Sequence, residues 1–505
     1  MGSIGRLFVF PLEPDPFGWS QTMRIAMRNA MRSATGNRAA MVAAVWALAQ
    51  APGGAAWAQD AATTPPAGAT APSTSAASPV ADATTPAPTT TPTPPASAGP
   101  DAAKTAIPPK EDKGWISPLL EGDPTLFIRL RAEWADSATL RNSAAYTAAV
   151  RLGYGSKPVQ GFKAYGEFEG VFAADRSLYN GAGVSGDATR TVIADPPVID
   201  LNQAYGEWDS KGTELDVFPI LIRAGRQGFN LDDQRFIGTV AWRQNDQTFD
   251  AATVKVTPIP GLDAQYGFIW GVNRIFGQGV AELPAPAQDF ESNSHFVNVT
   301  QDIFGVAKLT GFVYLLDFDN SAANSSNTYG VRATSAIPLA QDLKLNLAGS
   351  FAFQTDGGDN PVNYDAPYVA GEASLTYLNF TAGAGYELLG SDGRDGVNNE
   401  FRTPLATLHK FQGYADAFLV TPDGGIDDLY AFANVKLPYD VSAEVAYHYF
   451  TGVSDGTGEL GQELDVVVSH KINKNLAVLV KYAQLEGDGP TKDLRRIWLQ
   501  LEFKD

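Results

Sequence analysis

The sequence predicts an all-β chain, a transmembrane antiparallel barrel of about 18 strands of the outer-membrane type. Three observations carry this. Apolar and polar residues alternate over stretches of about 10 positions, the length of a tilted strand that crosses a bilayer. Short turns and long polar segments alternate along the chain, as the two ends of such a barrel require. The last stretch alternates almost to the terminus, with Ile497, Leu499, Leu501 and Phe503 on one face.

Composition narrows the alternatives. The 505 residues carry 37 Lys plus Arg against 56 Asp plus Glu, a formal charge of -19, and no cysteine. Disulfides, Cys-ligated zinc, iron–sulfur clusters and thiol nucleophiles are therefore excluded. A pI of about 4.6 argues against a nucleic-acid partner, which needs a dense basic surface. The mean hydropathy of -0.14 resembles that of an acidic soluble protein. A barrel wall gives the same average, because its lipid-facing half cancels its lumen-facing half.

The first segment, 1–58, reads as an N-terminal extension and a secretion signal. Met23, Arg24, Arg28, Arg32 and Arg38 form a basic region, Ala39 to Ala49 an apolar core, and Ala56-Trp57-Ala58 a small-residue cleavage site. The apolar run is about half of the roughly 20 residues that a membrane-spanning helix needs. The next segment, 59–115, is mostly Ala, Thr, Pro and Ser. It has too few large apolar side chains to offset the entropy of ordering, and proline holds it extended as a periplasmic spacer. It is a candidate contact for periplasmic partners.

From 116 to 505 the chain reads as the barrel. Ile128, Leu130, Ala132 and Trp134 fall on one face of the first strand, and Arg129, Arg131 and Glu133 on the other. Phe162, Ala164, Phe168 and Phe172 likewise oppose Lys163, Glu167 and Glu169. Trp134, Tyr154 and Trp208 stand near strand ends, where an interfacial girdle places aromatics. Short turns are expected at 155–161, 210–212, 258–261, 302–305, 337–342, 377–379, 437–440 and 472–475. The largest outer loops are expected at 175–197, 227–246, 273–291 and 390–427. A strand drawn within 407–420 gives an odd count and puts the turn at 437–440 on the outer side. Treating 390–427 as one loop restores the alternation, with both ends of the barrel in the periplasm.

About 18 strands leave an aqueous channel. The inward positions carry Arg129, Arg131, Arg151, Lys163, Arg223, Lys308, Arg332 and Lys344. A ring of such cations favours anionic solutes. Lumen carboxylates such as Glu133, Glu167, Glu169 and Glu207 are available to pair with them. Asp392, Asp395, Asn398, Asn399 and Glu400 are oxygen ligands of the kind calcium takes, but their spacing is not that of an EF-hand, and a solvated loop is the plainer reading. No catalytic pattern accompanies the four histidines, His295, His409, His448 and His470. No enzyme, cofactor or metal site is expected.

The most distinctive stretch is Gly225-Arg226-Gln227, then Gln234-Arg235-Phe236-Ile237-Gly238, Trp242-Arg243-Gln244 and Gln247-Thr248-Phe249-Asp250-Ala251. It resembles the alginate export family of outer-membrane porins, as do 200–208 and 404–416. The resemblance extends over roughly 125–505. It implies an 18-stranded barrel in the bacterial outer membrane whose basic pore draws in acidic polysaccharide. On that resemblance, Arg226, Arg235, Arg243, Arg129, Arg131, His409 and Lys410 lie in or near the pore; alternation adds Arg151 and Arg223. The expected function is passive, anion-selective passage of acidic oligo- or polysaccharide such as alginate. The alternatives are a porin for neutral sugars or other small solutes, and a secreted β-rich polysaccharide lyase. The expected partners are outer-membrane lipid and the anionic saccharide.

Overall fold

The computed structural model describes residues 116–277, 288–392, 399–454 and 458–505. The segments read as signal and spacer lie outside these residues. A short helix, α1 (Ile116–Leu120), leads into the wall. Tyr154 pins it: the Tyr154 hydroxyl accepts from Gly122 N at 2.7 Å and donates to Leu119 O at 2.8 Å.

Eighteen strands follow, in nine up-and-down pairs. They are β1 (Asp123–Ser137), β2 (Ser143–Gly155), β3 (Phe162–Ala173), β4 (Val198–Asp209), β5 (Ile220–Gln227), β6 (Thr248–Ile259), β7 (Leu262–Asn273), β8 (Asp289–Ile303) and β9 (Ala307–Leu316). Then come β10 (Ser326–Ala340), β11 (Leu343–Asp356), β12 (Asp365–Tyr377), β13 (Phe380–Leu389), β14 (Ile426–Leu437), β15 (Val441–Gly452), β16 (Glu459–Lys471), β17 (Leu476–Gly487) and β18 (Leu494–Lys504). Each strand pairs antiparallel with its sequence neighbour. β18 returns to β1, with Phe127 opposite Lys504 and Ser137 opposite Leu494, which closes the barrel and leaves no edge. All eight expected short turns link strands at the end where α1 enters. The four expected long loops connect strands at the other end, and among the described residues no strand lies between Leu389 and Ile426.

The wall is inverted relative to a soluble protein. On β1, Arg129, Arg131 and Glu133 are buried while Leu130 is 47% exposed; on β18, Trp498 is buried while Leu499 is 51% exposed. Apolar side chains turned outward along the wall need a lipid surround. Trp134 and Tyr146 meet edge to face near the outer end, and Phe162 and Trp208 pair near the periplasmic end.

The lumen is not empty. Leu231, Ile237 and Trp242 from loop 228–247, and Phe401 and Leu405 from loop 390–425, pack against the lumen-facing Phe249, Phe296, Tyr314, Tyr368 and Trp498. Each such apolar side chain contributes about 2 kcal/mol on burial, so the loops are a fixed filling rather than loose flaps.

Candidate functional site

Two loops build the constriction by pairing inside the barrel. Ile237 and Leu405 form a parallel bridge, Gly238 N donates to Leu405 O at 2.9 Å, and Thr407 N donates to Gln234 O at 3.0 Å. Gly238 is needed for this approach, because a Cβ there would stand 2.5 Å from Thr407 Oγ1. Gly225, at φ +123°, meets a different demand: a Cβ would fall 2.3 Å from Ala204 O on the adjoining strand. Beyond the bridge, Trp242 stacks on His409.

The wall arginines hold these loops. Arg129 Nη1 donates to Ala241 O and Arg243 O, and Arg131 Nη2 donates to Trp242 O at 2.6 Å. Arg131 also pairs with Asp195, which loop 174–197 carries inward. Arg151 bridges Glu169 on the wall and Asp246 on the loop, each at 2.7 Å. Arg223 pairs with Glu207, as does Lys163. In the reverse sense, the loop residue Arg235 reaches the wall at Glu387 and donates to Thr403 and Gln412. Arg243 joins Asp416 to Glu133. Lys410 is exposed toward the lumen, with Nζ donating to Asp233 O.

Arg226 departs from the expectation. It lies in line with Ala204 and Asp250, and it alternates with the buried Gln227. It therefore points out of the barrel near its outer rim, paired with Asp250 at 2.8 Å. Arg223 and Arg226 are three residues apart on one strand, so alternation allows only one of them to face inward.

His409 lies at the centre of the loop contact. Lys481 Nζ donates to its Nε2 at 2.9 Å, and its Nδ1 lies 2.7 Å from Asp416 Oδ1. An ammonium only donates, so Nε2 accepts and the ring proton sits on Nδ1, given to Asp416. Burial drives the imidazole pKa down to about 3, and Lys481 and Arg243 add to the effect of burial against the pull of Asp416. Burial also opposes the charge on Arg243, but Asp416, Glu133 and Asp195 outweigh it and hold the guanidinium more firmly protonated than usual. The Lys481 ammonium lies over Trp242 and Tyr414, at 3.8 and 3.6 Å from the ring centroids. Arg496 completes the seat by donating to Ala415 O and pairing with Glu133.

Several of these groups escaped the sequence reading. Lys481 carried a signal, as the one charged residue on the inward parity of β17. Asp195 and Glu387 carried none that separates them from other loop or wall carboxylates, and Asp416 only its place at the end of the 404–416 stretch. The calcium-like loop residues Asp395 and Asn398 lie outside the described residues. Among the described residues no three acidic or imidazole groups converge as a metal site.

The loops leave a cavity of about 630 Å³, bounded by loop residues and by the lumen faces of β10–β17. Tyr368, Tyr430, Phe432, Trp242 and Tyr414 present rings or ring edges to it. Its charged lining is Asp232, Asp233, Glu372, Glu387, Asp428 and Glu444 against Arg332, Lys410 and Lys481, with His409 and His448. The arginine-rich wall of β1 and β2 lies behind the loops instead.

Comparison with known proteins agrees with this architecture. Among solved structures, OccK9 (OpdG) of Pseudomonas aeruginosa superposes with a TM-score of 0.59 at 13% identity, covering 77% of this chain and 100% of its own. OccAB2 of Acinetobacter baumannii gives 0.59 at 13% identity, covering 77% and 99%. OpdK of Pseudomonas aeruginosa, solved with vanillate, gives 0.56 at 15% identity, covering 77% and 99%. No curated protein matches the chain in sequence. Residues 129–273, from the first wall arginine through the 225–251 motif to the end of β7, match the alginate export family. Residues 129–273 therefore carry the alginate export family signature within a closed, 18-stranded barrel of the outer-membrane type.

Proposed function

We propose that the barrel passes small saccharide solutes by diffusion, and that it works as a channel rather than as an enzyme. One observation carries this reading: the cavity left by the loops sets aromatic rings beside hydrogen-bond acceptors. Rings stack on the apolar faces of sugars, and acceptors take their hydroxyl protons. Each contact is made at the edge of a wet lumen, so it orients the solute without trapping it.

A second reading, anion-selective passage of acidic saccharide such as alginate, has its own support in the lumen arginines Arg129, Arg131, Arg151 and Arg223 and in the family match. Guanidinium pairs well with a uronate carboxylate. Against it stands the fact that each of these arginines already holds a carboxylate of this chain. Liposome swelling with the purified full-length protein separates the two. Glucose entering at least as fast as glucuronate supports the first reading, and glucuronate entering faster supports the second. If no sugar enters, both fail.

A further inference from the structure

The open cavity has an imbalance that the proposed function leaves unexplained. Of its six carboxylates, Asp233 pairs with Arg332, Glu387 with Arg235 and Asp428 with His448. Asp232, Glu372 and Glu444 have no cation within ion-pair distance among the described residues. Glu372 accepts from the Tyr430 hydroxyl at 2.9 Å and Glu444 from the Tyr414 hydroxyl at 3.0 Å. Asp232 accepts from Asn298 at 2.8 Å. The cation nearest in kind, Lys481, is held by His409 and two rings.

A second observation is independent of charge. Asn434 lines the same cavity and is only 7% exposed, and its Oδ1 accepts no hydrogen bond. A buried amide oxygen without a donor costs about 1–3 kcal/mol, so it marks a place where an incoming group supplies a proton. The tyrosine hydroxyls at Glu372 and Glu444 are already committed as donors. What the cavity has in excess is acceptors and negative charge, six carboxylates against three cations.

We infer that this cavity is a binding site for an ammonium-bearing solute, such as an amino sugar, with Glu372 and Glu444 as the charge-recognising groups and Asn434 Oδ1 as a further acceptor. The inference rests on the lumen being a saccharide path, and it names the solute class that the path favours. Tyr430 contributes twice, since its hydroxyl fixes the Glu372 carboxylate while its ring borders the cavity. An ammonium donates three protons and meets the unbalanced carboxylates, whereas a uronate meets repulsion.

The test is liposome swelling with glucosamine, glucose and glucuronate, on the full-length protein and on its Glu372→Gln, Glu444→Gln double variant. Glutamine keeps size and can still accept from tyrosine, and heat-modifiable gel migration checks that the variant is folded. Glucosamine should enter several-fold faster than glucuronate in the parent protein, with glucose between them, and the double variant should erase most of that spread. Equal rates in the parent, or an unchanged spread in the variant, overturns the inference while leaving a general saccharide porin standing. If no sugar enters, the saccharide reading fails, and the reversal potential in a KCl gradient then decides the site. Cation preference that the double variant loses upholds it, and anion preference or an unaltered potential overturns it.

Discussion

Trp242 and His409 lie face to face, with ring centroids 4.3 Å apart and planes 3° from parallel. They come from different loops, and the wall lysine Lys481 contacts both, so this stack joins two loops to each other and to the barrel. Trp242→Ala should therefore loosen the loops without opening the wall. Truncating a buried Trp costs about 3–5 kcal/mol. The expected result is proteolysis of loop 399–425 in detergent faster by about tenfold or more, with heat-modifiable migration unchanged. Gly238→Ala should act in the same direction, since its methyl group collides with Thr407.

The same stack predicts a pH dependence. His409 has a folded pKa of about 3, below the ordinary histidine value. Between that value and about 6.5 the undocked loop binds a proton that the docked loop refuses, so docking strengthens as pH rises through this window. Loop docking should be constant above about pH 7 and weaken progressively as pH falls toward 3. Trp fluorescence, with Trp242→Phe as the blank, reads the transition. His409→Gln keeps an acceptor for Lys481 and a donor for Asp416, and should flatten the part of the profile above pH 5.

Arg235 is a loop cation at a buried wall carboxylate. Its guanidinium pairs with Glu387 and donates to Thr403 and Gln412 as well. Arg235→Ala strands the Glu387 charge and should cost about 3–5 kcal/mol of loop docking. Arg235→Lys restores the charge but not the three-way fork, so proteolytic protection should return only in part. Pairing Arg235→Met with Glu387→Gln should recover more than Arg235→Ala alone.

Arg223 and Arg226 offer a test of alternation. Arg223 shares Glu207 with Lys163 in the lumen, whereas Arg226 pairs with Asp250 on the outer surface. Arg223→Gln should move the KCl reversal potential toward cation preference by several millivolts. Arg226→Gln should leave it where it is. A shift of equal size in both would place Arg226 in the ion path.

The sequence by itself determined the wall. Strand number, turn side, inward parity and closure through the last strand follow from period-two alternation and turn spacing, which are local properties that neighbouring strands repeat. It also contained, unused, the parity that separates Arg226 from Arg223. The tertiary structure alone decided what the arginines do. Arg131, Arg151 and Arg243 find Asp195, Asp246 and Asp416 across 64, 95 and 173 residues of chain, and no local pattern encodes a loop folding back into its own barrel. That folding covers the basic wall and exposes the acidic one. The cavity is therefore lined by Glu372 and Glu444 rather than by the arginines that composition and alternation brought forward.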